Sequence, residues 1–297
     1  MTSPLLSPLD LVKLPSLMAV TRGRPEVRIG LIDGPIAMDH PDLTTQNVRQ
    51  ISARAKAACA RTNSAACRHG TFVAGILSAK RKSPAPAICP QCTLLVRPIF
   101  AEITQRHGQL PIATPEDLAA AILECVDAGA RVVNLSVALG QASAQGERQV
   151  EDTLDHASRR GVVVVAAAGN EGMIGSSVIT RHPGTVPVVA YDSRGRPISQ
   201  SNLGASIGRR GLGAPGDRVT SLGAEGKPLT LGGTSAAAPF VSGAIALLWS
   251  VFPAATATKI RLAIIQAAAG RRTTVIPPLL DAWKAYQLMK AVSGGEQ

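Results

Sequence analysis

The chain has 297 residues, 45% of them hydrophobic, enough to bury a large core within one α/β domain. Lysine and arginine total 31 against 20 acidic residues, and the resulting net charge of +11 would attract an acidic peptide or protein. Aromatic residues are only 3%, so base-stacking platforms are hard to build; with no nucleic-acid motif in the chain, a nucleic-acid function is not expected.

Residues 1–24, rich in Pro and Leu, read as an N-terminal extension: a docking arm, a vestigial pro-segment or a disordered end. No basic residue lies ahead of Leu5, and Pro4, Pro8 and Asp10 interrupt any apolar stretch, so a secretory signal is not expected. Residues 25–297 then read as one domain. Val27 to Ile32 forms a buried strand ending at Asp33, the strand end where open α/β sheets place ligands. Arg68 to Gly75 puts His69 at the start of a helix of small residues. A helix is expected over 116–128, with Leu118, Ile122 and Val126 on one face, then a strand from Val132 to Val137. Another helix covers 147–160 and an apolar strand 162–168, followed at once by Gly169 and Asn170. Gly208 to Gly216 reads as a loop. Helices over 235–251, 256–269 and 281–292 close the chain. The alternation predicts a mostly parallel central sheet with helices on both faces. The apolar run 235–251 falls short of the roughly 20 residues that span a bilayer. The expected protein is therefore soluble and cytoplasmic, with no membrane partner.

Gly232-Gly233-Thr234-Ser235 places a hydroxyl between a glycine turn and the start of that apolar helix. Serine is a weak nucleophile until its surroundings activate it, and a helix N-terminus offers N–H groups and partial positive charge to a developing oxyanion. Pro239 is expected within the first helical turn, where its missing N–H is no loss. The intervals from Asp33 to His69 and from Asn170 to Ser235 each exceed the dozen or so residues that a parallel crossover needs, so all four can return to one sheet edge.

Five segments carry a resemblance. Asp33-Gly34 with His40-Pro41-Asp42-Leu43, His69-Gly70-Thr71, Ala167-Ala168-Gly169-Asn170, and Gly233-Thr234-Ser235 with Pro239 resemble the four signature blocks of the subtilisin-like serine proteases, in that family's chain order, and Asn134-Leu135-Ser136 resembles the strand that binds substrate backbone. The likeness covers roughly residues 25–250 and implies a subtilisin-like fold and an Asp33–His69–Ser235 triad with Asn170 as oxyanion donor. It also implies a substrate-binding wall from Leu135, Ser136, Val137 and Gly140 on one side and Ala167, Ala168 and Gly169 on the other. No carboxylate is obvious in either wall, so an uncharged residue before the scissile bond is expected. The implied partner is a peptide or protein substrate, with no cofactor. Many secreted members have a calcium loop after the histidine helix; Ser83 to Cys92 contains no Asp or Glu, so no metal is expected. That short stretch, and an apparent insertion from Arg97 to Thr114, are similar to the subtilisin-like proteases that process ribosomally made peptide precursors, such as the cyanobactin maturation proteases. The alternative is a peptide-binding module that kept the fold and lost turnover.

Other residues read more plainly. His40 sits in a turn-like Asp-His-Pro-Asp, while His107, His156 and His182 are expected on the surface or in loops. Ser136, Ser201 and Ser206 lack a helix start, so solvated loop or strand roles suffice for their side chains. Five cysteines give an odd count: reduced thiols are the leading expectation, a Cys59–Cys67 or Cys89–Cys92 disulfide the next, and a zinc site the last.

Overall fold

The computed structural model describes residues 6–51, 58–102, 113–137, 143–268 and 275–294. Two short helices, α1 (Pro8–Leu11) and α2 (Leu14–Val20), precede β1 (Arg28–Asp33), β2 (Val48–Gln50), α3 (Ala65–Ser78) and β3 (Thr93–Pro98). Then follow α4 (Pro115–Asp127), β4 (Val132–Leu135), α5 (Ala144–Arg159), β5 (Val163–Ala167), α6 (Val178–Arg181) and β6 (Thr185–Tyr191). The last part holds α7 (Ala205–Arg210), β7 (Leu212–Pro215), β8 (Val219–Leu222), β9 (Pro228–Leu231), α8 (Thr234–Val251), α9 (Ala257–Ala267) and α10 (Ala282–Gly294).

Seven strands form one sheet in the order β2-β3-β1-β4-β5-β6-β7, every neighbouring pair parallel, while β8 and β9 form a separate antiparallel pair. Strand alternation divides the side chains between two cores. Ile29 and Leu31 of β1, with Val163 and Val165 of β5, join the core that contains α3 and α8. Ile32, Val164 and Ala166 face the other core, built on α4 and α5. With both faces covered, the central strands β1, β4, β5 and β6 are mostly apolar, Asn134 of β4 being a buried polar exception. From β1 the chain moves toward β3, whereas from β4 it moves toward β5, so the connections diverge between the adjacent strands β1 and β4. Such a divergence opens a crevice at the carboxyl ends of the strands. Asp33 ends β1 there, and Ser136 lies just past β4.

Several helix starts follow local chemistry. Ser64, Thr114, Ser143 and Thr256 cap α3, α4, α5 and α9 by accepting from a backbone N–H in the first turn. The N-terminal extension docks. Val12, Leu14 and Leu17 are fully buried, α2 packs on α8 and α10, and Val12 O accepts from Ala282 N at 3.0 Å.

Three expectations change. Gly208 to Gly216 is not a loop: it holds the end of α7 and all of β7, which pairs with Val188–Tyr191 and is covered at its outer edge by Pro278 and Leu280. Leu-Gly-Ala-Pro has little β-propensity of its own, so this strand exists through long-range pairing. Cys59 and Cys67 are bridged, while Cys89, Cys92 and Cys125 are buried free thiols. The bridge forms because Cys67, in the first turn of α3, meets Cys59 with their Cα atoms 5.6 Å apart. Finally, α8 is apolar enough to cross a membrane by length and composition, yet 89% of it is buried inside the protein, where it serves as a core helix.

Leu17→Ala tests the docking of the extension. Its side chain is fully buried, so truncation should cost about 2–5 kcal/mol, seen as a lower urea midpoint with an unchanged slope. A midpoint equal to the parent's would mean the extension contributes nothing to the fold.

Candidate active site

The site begins with a buried carboxylate. Asp33 has no solvent exposure, and its Oδ1 accepts from Gly34 N at 2.6 Å and lies 2.6 Å from His69 Nδ1. The other ring nitrogen, Nε2, lies 3.0 Å from Ser235 Oγ. Asp33, His69 and Ser235 thus form one unbroken chain of contacts across the crevice between β1 and the start of α8. His69 can reach Asp33 because α3 lies almost on the backbone that follows β1. A Cβ on Gly34 would fall 1.9 Å from Ala66 O, and one on Gly70 would fall 2.4 Å from Gly34 O and Pro35 O. Neither position has room for a side chain.

The His69 ring is held between opposing effects. Burial disfavours its charged form, but the Asp33 charge and the hydrogen bond to it together outweigh burial and leave the ring's pKa raised from its ordinary 6.5. With Nδ1–H donated to Asp33, Nε2 is the face that can take a proton from Ser235.

Asn170 enters from the turn after β5. Its Oδ1 accepts from Thr234 N at 2.8 Å and from Thr234 Oγ1 at 3.1 Å. Those two donors fix which end of the amide is oxygen, and its remaining capacity is the Nδ2 donor. Thr234 Oγ1 also accepts from Gly169 N at 3.2 Å, which ties the β5 turn to the start of α8. Gly233 caps α8 at φ 105°, a left-handed value suited to glycine, and presents the first-turn N–H groups, Ser235 N–H among them, toward the crevice.

Pro239 does not lie in the first turn, as expected from the sequence, but in the second, inside α8. Its missing N–H is therefore a real loss: it leaves the carbonyl of Ser235 without its intrahelical donor. Ser136 supplies the replacement, its Oγ donating to Ser235 O at 3.4 Å. Ser136 in turn accepts from Asn134 Nδ2 at 3.0 Å, and Asn134 Oδ1 accepts from Ser242 Oγ at 2.8 Å. This buried polar relay anchors Ser235 to β4. Asn134 and Ser242 were not singled out for this role, although each is a polar residue inside an apolar element, a signal that was available.

The remaining expected positions divide. Ser136 is 4% exposed and bonded to Ser235, and the buried Leu135 and Val137 side chains belong to the α4–α5 core, so Leu135 and Val137 can offer a substrate only backbone. Ala167 and Gly169 are half-buried and Ala168 is buried beside the Asn170 turn. Gly140 lies outside the described residues, as do 103–112 of the insertion and His107. His40 accepts from Asp42 N at 3.0 Å in the expected turn. His182 is buried rather than exposed, because it pairs with Asp155 Oδ1 at 3.1 Å and accepts from Gly184 N at 3.1 Å. Ser201 is likewise buried, accepting from Ala190 N at 3.1 Å, and Ser206 has a buried hydroxyl within α7.

The bridged Cys59 and Cys67 lie close to Glu102, making the one group of metal-ligating types found among the described residues. The bridge ties up both sulfurs. Glu102 accepts from Ala60 N, Arg61 N and Ser64 Oγ at 2.7, 2.9 and 3.1 Å, the work of a loop anchor rather than a metal ligand.

Comparison with known proteins gives consistent results. The model of the subtilase family, Peptidase_S8, matches residues 24–284. Subtilisin DY from Bacillus licheniformis is 30% identical over 258 residues, covering 85% of this chain and 87% of that protein. A thermostable alkaline protease from Halalkalibacterium halodurans is 31% identical over 201 residues, covering 67% of this chain and 52% of that protein, so the chain matches about half that relative's length. Among solved structures, the protease domain of PatA superimposes with a TM-score of 0.80 at 30% identity, covering 91% of this chain and 97% of that one. The prenylagaramide maturation protease PagA superimposes with a TM-score of 0.79 at 27% identity, covering 92% and 98%.

The His69 environment makes a physical prediction. Its ring should titrate above pH 6.5 in an NMR titration, and Asp33→Asn should move the midpoint down, since burial then acts with no charge to oppose it. A midpoint that ignores the substitution would contradict the pairing.

Proposed function

This chain belongs to the subtilase family of serine-type endopeptidases, and on that premise we propose that it hydrolyses peptide bonds at Ser235 and processes a peptide precursor. The observation that carries the chemistry is the continuous contact from Asp33 through His69 to Ser235, at 2.6 and 3.0 Å. Ser235 Oγ attacks the scissile carbonyl carbon as His69 Nε2 takes its proton, forming a tetrahedral intermediate. Asp33 keeps the ring oriented and stabilises the imidazolium without itself taking the proton. Asn170 Nδ2 and the Ser235 N–H donate to the oxyanion. The C–N bond then breaks as His69 returns its proton to the leaving amine. Water, activated by the same ring, releases the acyl group from Ser235. The backbone around Leu135 to Val137 and Ala167 to Gly169 supplies the substrate walls, and an uncharged residue before the scissile bond is preferred.

Precursor processing rests on the likeness to PagA, a maturation protease by description, and to the PatA protease domain. The net charge of +11 favours an acidic precursor. A cytoplasmic location is part of the same proposal; the feature that weighs against it is the Cys59–Cys67 bridge, because reducing compartments keep most thiols free.

A fluorophosphonate probe should label the folded protein, and labelling should vanish in Ser235→Ala and His69→Ala. A well-folded protein that takes no label would instead be a catalytically silent peptide-binding module. Asn170→Ala should keep the label but lower kcat about a hundred- to a thousandfold with little change in KM. An unchanged kcat would remove Asn170 from the oxyanion site.

A further inference from the structure

Because all seven strands of the main sheet are parallel, their carboxyl ends share one edge with Asp33, and their amino ends share the opposite edge. That opposite edge gathers a cluster of positive charge. Arg131 stands immediately before β4, Arg159 and Arg160 before β5, Arg181 before β6, and Arg209 and Arg210 before β7. From α9, Lys259 and Arg261 join them, with Arg261 Nη1 donating to Pro183 O just ahead of β6. The charges crowd one another: burial first, then the Arg209 and Arg261 charges, lowers the pKa of Arg210. Of the acidic neighbours, Glu147 pairs with Arg181 at 2.9 Å, Asp155, which lines the cavity beside Arg261, pairs with His182 at 3.1 Å, and Asp127 ends α4 nearby. In sequence these are scattered pairs of arginines. Parallel topology lines them up.

The same edge is apolar as well as basic. Between the starts of β4 and β5 and the α8–α9 turn lies a cavity of about 580 Å³, where Arg131 and Arg160 border Pro253, Ala254 and Ala255. Those three residues also line an adjoining groove of about 430 Å³ between α9 and α10, with Lys259, Leu262 and Val292 on its walls. Leu262 and Val292 are 52% and 55% exposed. On the other side, Val162 and Ala257 are shared with a third cavity of about 210 Å³ that includes Arg261. Through these shared residues the three adjoin along a trough beside the C-terminal end of α8. That end, at Val251, lies about 24 Å along the helix axis from Ser235.

We infer that this trough is an exosite for an acidic, amphipathic peptide segment of the substrate that lies outside the cleavage site. Arginine forks pair with carboxylates, and the apolar walls between α9 and α10 take the segment's hydrophobic face. A nucleic acid fits less well, because the nearby Trp249 ring is 2% exposed and Phe252 packs against Tyr286, leaving little ring surface for stacking bases. The role assigned to the substrate rests on the peptidase reading; the binding itself does not.

The test therefore measures binding without turnover. Ser235→Ala protein is titrated into a fluorescein-labelled amphipathic peptide of about 18 residues, leucines on one helical face and glutamates on the other, with fluorescence anisotropy as readout. Binding should weaken as salt rises, and it should weaken at least about tenfold when Arg160→Glu and Arg261→Glu are combined in protein with an unchanged thermal midpoint. Should that pair fail to fold, Leu262→Asp probes the apolar wall and should also weaken binding. Unchanged affinity in the folded variants would overturn the inference, as would equal binding of a glutamine-for-glutamate peptide or tighter binding of a short DNA duplex. If the folded protein with Ser235 intact takes no fluorophosphonate label while peptide binding persists, the peptidase reading falls and the trough stands.

Discussion

The structure depends on keeping one buried carboxylate paired. A charge with no solvent exposure is tolerated only when it is paired and hydrogen-bonded, and Asp33 achieves both at Oδ1, through Gly34 N–H and the His69 ring, while no group among the described residues bonds to its Oδ2. The consequences run outward. Asp33 sits at the end of β1, where the chain leaves toward β3 while that of the adjacent β4 leaves toward β5, opening a crevice. The helix carrying His69 must then come close enough for contact, which requires glycine at both 34 and 70. What raises the histidine's proton affinity is the same pairing that makes the buried aspartate tolerable.

The second organising element is α8, which runs through the core and links both edges of the sheet. Its first turn holds Ser235 against His69, while its last turn opens on the basic trough. The start is fixed by polar contacts rather than by packing alone. Thr234 is bound by Asn170, and the Ser235 carbonyl, released by Pro239, is held by the relay through Ser136, Asn134 and Ser242. A proline that would weaken an isolated helix here frees an acceptor that ties the serine to β4. The helix tolerates it because the surrounding core fixes the residues on both sides.

Much of this architecture was legible because its signals are local. The apolar run of β5, the helical face of α4, and glycine-bounded Ser235 each lie within a short window, and the Asp33, His69, Asn170 and Ser235 segments follow a family order. Signals that depend on distant partners were lost. β7 looked like a loop because four residues of Leu, Gly, Ala and Pro carry no strand pattern until β6 pairs with them. His182 looked exposed because nothing near it in sequence announces Asp155, 27 positions away. The Cys59–Cys67 bridge was one of several readings because spacing alone cannot say where α3 starts relative to Cys59.

The sequence by itself determined the fold class, the choice of Asp33, His69, Asn170 and Ser235 as candidates, and the excess of positive charge, since each follows from short-range pattern, resemblance to a family or composition. Only the tertiary structure decided that Pro239 frees the Ser235 carbonyl, that Leu135 and Val137 turn into the core, and that arginines scattered from 131 to 261 share one edge. The physical reason is the same in each case. Which groups lie within a few ångströms is set by strand order and helix packing, and parallel topology brings together residues a hundred or more positions apart while separating near neighbours onto opposite faces.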